Sequence, residues 1–234
     1  MSLSTPLQHE RETPIQPAPA GITILGAGKF GRLAHRRLAR RFPDADLTVV
    51  DHAEAKLLAL DPSDRTRTLA EDAIAHLSTE HLPPDRWIVP AVPIHVAFLW
   101  LLEQLKPNGR VTRLPVPQNV DPQLPHPMRV PGGTVYASYA DFLCPDNCPE
   151  PEDICTYTRQ PRKGHLFETV GGLRVPGYFV HVCRSHQLAP GVGGYTRGQL
   201  ESLYREVLSN PGNHVIATCC SCHGVLDALS WEKP

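Results

Sequence analysis

The sequence predicts an α/β protein of two parts, a parallel-sheet unit followed by a smaller α+β unit rich in cysteine. From residue 21 to about residue 115, short apolar runs alternate with helical patterns. This alternation is typical of parallel strands joined by crossover helices. All seven cysteines come later, from Cys144 onward, in a stretch with many prolines. Long helices are not expected there, because proline interrupts them.

A glycine-rich turn carries the first functional pattern. The apolar run at residues 21–25 predicts a buried strand, and a helix is expected after the turn. Between them, Gly26, Gly28 and Gly31 have the spacing G-x-G-x-x-G. In this pattern the first glycine permits a tight turn, the second leaves room for a pyrophosphate, and the third lets the helix pack closely on the strand. The predicted cofactor contacts in the turn are Gly26, Ala27, Gly28, Lys29, Phe30 and Gly31.

A second apolar run supports a Rossmann-like reading of this turn. Residues 47–50 end in Asp51, twenty residues after Gly31, where a second parallel strand would bring a carboxylate to a ribose hydroxyl. An acidic residue here favours NAD, because a 2′-phosphate would meet like charge. NADP stays open, since Lys56 and Arg32 are nearby in sequence. The alternative is a glycine-rich helix entry in another kind of α/β protein, with Asp51 as a helix cap.

The third predicted strand, residues 86–90, leads into a proline-containing turn and an apolar helix at residues 96–105. Ligands of open parallel sheets lie outside the carboxyl ends of the strands. Pro90 and Ala91 are therefore predicted to border the cofactor. His95 is the one catalytic candidate, as a group that polarises a substrate. The alternative is a surface or capping histidine at the helix start.

These residues resemble two known families. Residues 24–31 followed by residues 49–51 are similar to the NAD-binding domain of potassium-uptake regulators of the TrkA N-terminal (RCK) type. They are equally similar to the first domain of saccharopine-dehydrogenase-like oxidoreductases, and that resemblance implies that the turn at residues 89–93 lies near the nicotinamide. Both cover only residues 21–105, so they imply the fold and the nucleotide class but not a reaction.

Composition excludes several classes of partner. The chain has 23 basic and 24 acidic residues, so neither nucleic acid nor an anionic membrane surface is expected as a general partner. It has no apolar run long enough for a membrane span. Residues 1–20 are polar and proline-rich, and we expect a disordered leader without a secretory signal. A cytoplasmic location is therefore predicted.

The rest of the chain is predicted as a linker and a second domain. Residues 21–115 form the dinucleotide-binding domain, residues 116–131 are proline-punctuated and act as a linker, and residues 132–234 form a cysteine-rich metal-binding domain. The elements expected in this last domain are strands at 135–139, 177–183 and 214–218 and helices at 196–208 and 225–231.

The first thiol cluster is a loop by composition. Cys144, Cys148 and Cys155 have the spacing C-x3-C-x6-C among prolines and acidic residues. Such a loop can wrap a metal ion, and prolines stiffen it at low entropic cost. Two of these cysteines precede proline, as the last cysteine of a bacterial ferredoxin run does. Three thiols leave a fourth ligand to be supplied from elsewhere.

The second cluster is the expected source of that ligand. Cys219 and Cys222 form a C-x-x-C pair with Cys220 between them. A site made of the three loop thiols and one of these would suit a [4Fe–4S] cluster or zinc, with the Cys-Pro pairs favouring iron–sulfur. Alternatively, a strand, the C-x-x-C pair and a following helix would form a dithiol redox centre. Several of the cysteines, Cys183 above all, are also compatible with a role as small buried residues.

A small basic stretch follows Cys155. We interpret it as a solvated loop face, with an anionic substrate or the charge of a metal cluster as the alternative partner. It contains Arg159, Arg162, Lys163 and His165.

Together these patterns predict a NAD(P)-binding, oxidoreductase-like protein with a cysteine-ligated metal centre. Its partners would be the nucleotide and either a small-molecule substrate or a redox partner protein. The alternative is a non-catalytic NAD-sensing regulator of the potassium-uptake type, with structural or redox-sensing cysteines. The sequence leaves enzymatic activity and a homodimeric state open.

Overall fold

The structure, a computed structural model, describes residues 18–61 and 64–234. All but the last three residues of the leader predicted over residues 1–20 lie outside these ranges. Among the described residues, no helix combines the length and the apolar character that crossing a membrane requires.

Twelve strands and six α-helices are formed by the described residues. The strands are β1 Gly21–Leu25, β2 Asp46–Val50, β3 Thr66–Leu69, β4 Trp87–Pro90, β5 Arg110–Leu114, β6 Met128–Arg129, β7 Val135–Ser138, β8 Tyr178–Arg184, β9 His186–Ala189, β10 Val192–Thr196, β11 Gly212–Cys219 and β12 His223–Glu232. The helices are α1 Lys29–Arg41, α2 Glu54–Leu57, α3 Ala73–Thr79, α4 Val96–Leu105, α5 Leu166–Gly171 and α6 Arg197–Ser209.

The first sheet is parallel in its N-terminal part. Its strand order is β3-β2-β1-β4-β10-β9, and β1 pairs in parallel with both β2 and β4. All five residues of β1 are buried, as expected of a parallel strand covered on both faces. The last two strands run antiparallel: β10 pairs with β4 and β9 pairs with β10.

The second sheet is built around the last strand of the chain. Its order is β6-β7-β12-β11-β8, and β5 also pairs with β12. The pairing of β8 with β11 is parallel, whereas β12 is antiparallel to β11, β7 and β5. The predicted α/β class is thus confirmed in its coarse form, as a mixed α/β fold with two sheets that each combine parallel and antiparallel strands.

The two sheets share a hydrophobic core. One cluster of buried side chains includes Leu25 of β1, Trp100 of α4, Leu203 of α6, Ile216 of β11 and Trp231 of β12. Helix α4 supplies much of this cluster. Apolar residues lie on nearly all sides of the helix, so most of its surface is buried. Residues from the predicted nucleotide-binding part and from the cysteine-rich part are therefore packed together.

The predicted closing helix at residues 225–231 is wrong. These residues lie in β12, where Leu226 and Ala228 face one core cluster while Leu229 and Trp231 face another. A strand that is buried on both faces has a nearly continuous apolar sequence, and its period of two is hidden.

Five further strands were not predicted, namely β3, β5, β6, β9 and β10. For β3 and β5 the reason is the opposite one. Strand β3 lies at the edge of the first sheet, and strand β5 pairs with β12 in the second sheet. Their residues are mostly exposed or half-buried, so they carry no apolar signal. The predicted helices that became α1, α4 and α6 are confirmed, as are the predicted strands that became β7, β8 and β11.

Candidate thiol and nucleotide site

The three glycines of the turn after β1 have different surroundings. Gly26 has φ +101°, a backbone conformation that favours glycine. A Cβ atom on Gly31 would lie 1.8 Å from the carbonyl oxygen of Gly26, so the start of α1 packs directly on the turn. A Cβ atom on Gly28 would have no atom within 4 Å. The middle glycine therefore faces open space.

Asp51 braces this turn from the end of β2. Its carboxylate accepts hydrogen bonds of 2.8 Å from the backbone N–H groups of Ala27 and Ala53, and Lys56 Nζ is 3.5 Å away. Burial acts to raise the pKa of Asp51, but these hydrogen bonds and the nearby cation outweigh it, so the pKa is lowered. The group is therefore a well-supported anion beside the turn.

The other predicted cofactor contacts lie around the same turn. The N–H group of Ala91 donates to the carbonyl oxygen of Leu25, which joins the ends of β4 and β1. Lys29 forms an ion pair of 3.0 Å with Asp146 of the first thiol loop. Phe30, which is 55% exposed, and Pro90 line a cavity that continues toward the cysteines.

His95 lies in a buried polar network instead of at this cavity. Its Nδ1 is 3.0 Å from Asp227 Oδ2, and its Nε2 is 3.0 Å from Thr218 Oγ1. The other oxygen of Asp227 accepts hydrogen bonds from Arg113 and Thr134. Both ring nitrogens of His95 thus have partners, and the histidine joins the start of α4 to the second sheet.

The first thiol loop is held against the first sheet. The carbonyl oxygen of Cys148 accepts hydrogen bonds from the N–H of Gly191 and the side chain of Gln187. Arg37 of α1 donates to the carbonyl oxygen of Asp146 at 2.6 Å. Contacts with α1 and with the β9–β10 hairpin therefore set the position of this loop.

Both thiol clusters meet at one cavity of about 880 Å³. Phe30 and Pro90 lie in its wall together with five thiols from the two clusters. These are Cys144, Cys148, Cys155, Cys220 and Cys222. The fold thus brings cysteines almost eighty residues apart to the same space.

Four of these thiols influence one another electrostatically. Burial, followed by the neighbouring thiols of Cys148, Cys222 and Cys155, raises the pKa of Cys144 to about 11. Burial also raises the pKa of Cys222, against the opposing effect of Arg162. Protonated thiols are therefore favoured at these two positions in the absence of a bound cation.

Cys155 behaves differently. Burial acts to raise its pKa, but hydrogen bonds from Thr158 and from the N–H of Tyr157 outweigh that effect, and the pKa is lowered. Backbone N–H groups also donate to the sulfur of Cys148, from Glu150, and to that of Cys220, from Cys222. Such N–H donors stabilise a thiolate.

Two cysteines lie outside the cavity. Cys219 is 1% exposed and packs in the core of the second sheet, and burial raises its pKa to about 12. The structure therefore does not bring this predicted metal ligand to the other four. Cys183 is also buried, in the shared core, where burial raises its pKa to about 12.

The predicted dithiol arrangement of strand, C-x-x-C and helix is wrong. Cys222 is followed by β12, so no helix N-terminus lies there to lower a thiol pKa. The pKa values of Cys219, Cys220 and Cys222 are all raised, chiefly by burial.

The seven cysteines, all within the described residues, are free thiols. Across residues 18–61 and 64–234, no group of three or more histidine, cysteine, aspartate or glutamate side chains is spaced to hold a metal ion as it stands. Ligation by the cavity thiols would thus require side-chain movement, for which the cavity provides room.

Comparisons with known proteins identify the family. Residues 97–232 match the family profile AF_1314_C, described as "Uncharacterized protein, C-terminal domain". The chain belongs to the AF_1314_C family. A relative from Archaeoglobus fulgidus, named "Uncharacterized protein", is 31% identical over 225 residues, covering 88% of this chain and 97% of the relative. The AF_1314_C match includes both thiol clusters, whereas the glycine turn precedes it. No solved structure gives a significant match to the chain.

Some site residues of this AF_1314_C member could not be found from sequence patterns. Glu150, whose φ is +49°, accepts a 2.6 Å hydrogen bond from the N–H of Ser221. This bond joins the two thiol clusters. Arg162 donates to the sulfur of Cys222 at 2.6 Å. The only signal for Arg162 was its place in a basic stretch, because its partner is sixty residues away.

Proposed function

We propose that the chain is a NAD(P)-binding, oxidoreductase-like protein whose cavity thiols hold a metal centre. One observation carries the proposal. Cys144, Cys148, Cys155 and Cys222 line the same cavity as Phe30 and Pro90, which adjoin the glycine turn and the end of β4. A nucleotide on the turn and a metal on the thiols would therefore be neighbours.

The nucleotide part rests on the glycine turn and the strand order. The order β3-β2-β1-β4 matches that of a Rossmann-like half, which supports a dinucleotide-binding part over residues 21–105. The predicted bound at residue 115 would also include β5, which pairs with β12 of the second sheet. The open space at Gly28 suits a diphosphate, and the N-terminus of α1 offers free N–H donors and a partial positive charge. Each oxygen of Asp51 retains acceptor capacity for a ribose hydroxyl.

The metal part rests on the chemistry of the donors. Four thiols suit zinc or a [4Fe–4S] cluster, and the two Cys-Pro pairs favour the cluster. We assign the ligands to Cys144, Cys148, Cys155 and Cys222, within the cysteine-rich segment 132–234. A cluster would supply one-electron transfer beside a hydride carrier, with a small molecule or a redox protein as the partner. Free thiols also fit a reducing, cytoplasmic setting.

Anaerobic purification tests the metal centre. The visible spectrum and the iron, sulfide and zinc contents would be measured for the wild type, for Cys222→Ser and for Cys183→Ser as a buried control. We expect brown protein with stoichiometric iron and sulfide, lost in Cys222→Ser and kept in Cys183→Ser. One zinc ion per chain, also lost in Cys222→Ser and kept in Cys183→Ser, would support a structural zinc site. Metal-free wild-type protein, or metal that survives Cys222→Ser, would contradict this assignment.

A titration with NADH and with NADPH, followed by nicotinamide fluorescence, tests the nucleotide site. Asp51 predicts tighter binding of NADH than of NADPH, because the extra phosphate would approach a carboxylate. Absence of binding by either nucleotide would contradict the nucleotide assignment.

A NAD-sensing regulator of the potassium-uptake type is the second candidate. The bonds on both ring nitrogens of His95 favour it, because they leave our catalytic candidate without a free nitrogen for a substrate. Bleaching of the visible spectrum on addition of NADH would support the oxidoreductase. Nucleotide binding without electron transfer would support the regulator.

A further inference from the structure

Arg162 connects the segment after the first thiol loop to the second cluster. Its guanidinium donates to the sulfur of Cys222 at 2.6 Å and to the carbonyl oxygen of Pro151. Its backbone N–H donates to the carbonyl oxygen of Asp153 at 2.8 Å. Backbone and side chain are thus both held, and the guanidinium is fixed in the wall of the cavity.

Arg162 brings a permanent positive charge to the sulfur of Cys222, in the wall of the cavity that Cys144, Cys148 and Cys155 also line. Lys29, near the same cavity, pairs instead with Asp146. Among the ion pairs of the described residues, none involves Arg162. Its guanidinium contacts the sulfur of Cys222 and a backbone carbonyl oxygen instead.

We propose that Arg162 is a positioning residue for the thiol site, which fixes the sulfur of Cys222 and offsets the negative charge of the ligated thiolates. This inference rests on the proposed function. Four thiolates around a divalent ion leave a net charge of about −2, which is costly in a partly enclosed cavity. A permanent cation within hydrogen-bond distance of one sulfur reduces that cost and also orients the ligand.

The guanidinium contributes a positive charge and a planar hydrogen-bonding geometry, and substitutions can separate these two contributions. Lysine keeps the charge but not the planar fork that reaches Cys222 and Pro151 together. Glutamine removes the charge. Arg159 belongs to the same basic stretch but does not line the cavity, so Arg159→Gln is a matched control.

Titration of the metal-free, reduced full-length chain with Co²⁺ tests the inference, with the sulfur-to-metal absorption band as the readout. We expect the wild type and Arg159→Gln to bind Co²⁺ with equal affinity. Arg162→Gln should bind about 10 to 100 times more weakly, as is typical for loss of a group that orients a metal ligand. Arg162→Lys should recover part of that loss. Thermal unfolding of each metal-free variant would show whether it remains folded.

The possible outcomes separate this inference from the proposed function. If the wild type gives no sulfur-to-metal band, the metal site and the role of Arg162 are both wrong. If the wild type binds and Arg162→Gln binds equally well, only the role of Arg162 is wrong. If Arg162→Lys binds Co²⁺ as weakly as Arg162→Gln does, the proposed effect of the positive charge is wrong. If Arg162→Gln does not fold, Arg162→Lys alone decides. A loss of Co²⁺ affinity of less than tenfold in that variant supports the inference, and a larger loss contradicts it.

Discussion

Gly28 and Gly31 are three residues apart in the same turn, yet a side chain would affect them differently. At Gly31 a methyl group would overlap the carbonyl oxygen of Gly26, whereas at Gly28 it would enter open space. The backbone of Gly28, with φ −70°, is accessible to alanine. One position therefore serves packing, and under the proposed function the other serves the ligand.

We expect Gly31→Ala to destabilise the protein by about 1–3 kcal/mol, the usual cost of overpacking. Gly28→Ala should cost less than about 1 kcal/mol, as a weaker helix N-cap, but should weaken NADH binding at least tenfold. Urea unfolding and a fluorescence titration would measure the two effects. Equal NADH affinity for wild type and Gly28→Ala would argue against a diphosphate at this turn.

Asp227 is the most highly bonded buried carboxylate of the second sheet. It contacts His95, Arg113 and Thr134, from three different parts of the chain. Asp227→Asn should destabilise the protein by about 3 kcal/mol, the low end for breaking a buried pair, because Arg113 is 44% exposed. Denaturant unfolding would measure this, with the surface variant Glu103→Gln as a control expected within about 0.5 kcal/mol of wild type.

The same carboxylate predicts a pH dependence. Burial acts to raise the pKa of Asp227, but hydrogen bonds from His95 and Thr134 and the charges of His95 and Arg113 lower it overall. A lowered pKa in the folded state gives stability above the unfolded pKa of about 4, and that stability is lost as pH falls through the folded value. The stability difference between wild type and Asp227→Asn should thus shrink as the pH falls from about 5 toward 2. A constant difference down to pH 2 would contradict this.

At the scale of elements, β12 is the organising strand of the second sheet. It pairs with β11 along one edge and with β5 and β7 along the other, and its two faces pack in different core clusters. Its pattern resembles a helix only because both faces are apolar. The elements that follow a clear periodicity and end in stop residues, such as α6 before Asn210 and Pro211, are predictable locally.

Substitutions on the two faces of β12 should therefore be about equally costly. We expect Leu226→Ala and Leu229→Ala each to destabilise by about 2–5 kcal/mol, because each leaves a cavity in a different core cluster. Met128→Ala on the exposed strand β6 should have little effect. A large effect from only one of the two leucines, measured by urea unfolding, would contradict burial on both faces.

The whole molecule is held together by strands that return to the first sheet late in the chain. Strand β10 pairs with β4, and α6 packs against α4 in the shared core. The contacts of the first thiol loop with α1 add to this connection. The stability of the predicted nucleotide-binding part should therefore depend on residues beyond position 185.

A fragment that ends at residue 131 tests this dependence. It keeps the glycine turn and the four parallel strands but lacks β9, β10, α6 and the core residues of β11 and β12. We expect no cooperative urea unfolding and little protection of its amides from exchange, in contrast to the full chain. A sigmoidal unfolding curve for the fragment would show that the first part folds independently.

Local sequence patterns are sufficient to predict the elements that bury only one face or that end in stop residues. They are also sufficient to locate the candidate glycine turn and the thiol loops. The spacing of Gly26, Gly28 and Gly31 and the clustering of the cysteines are read along the chain alone. Which thiols meet was decided by the tertiary structure, because the register of β11 turns Cys219 into the core while the turn after it leads Cys222 to the cavity. The partners of His95 and Arg162 were likewise undetectable from sequence, since contacts between residues 60 to 132 positions apart exist only once both sheets have packed.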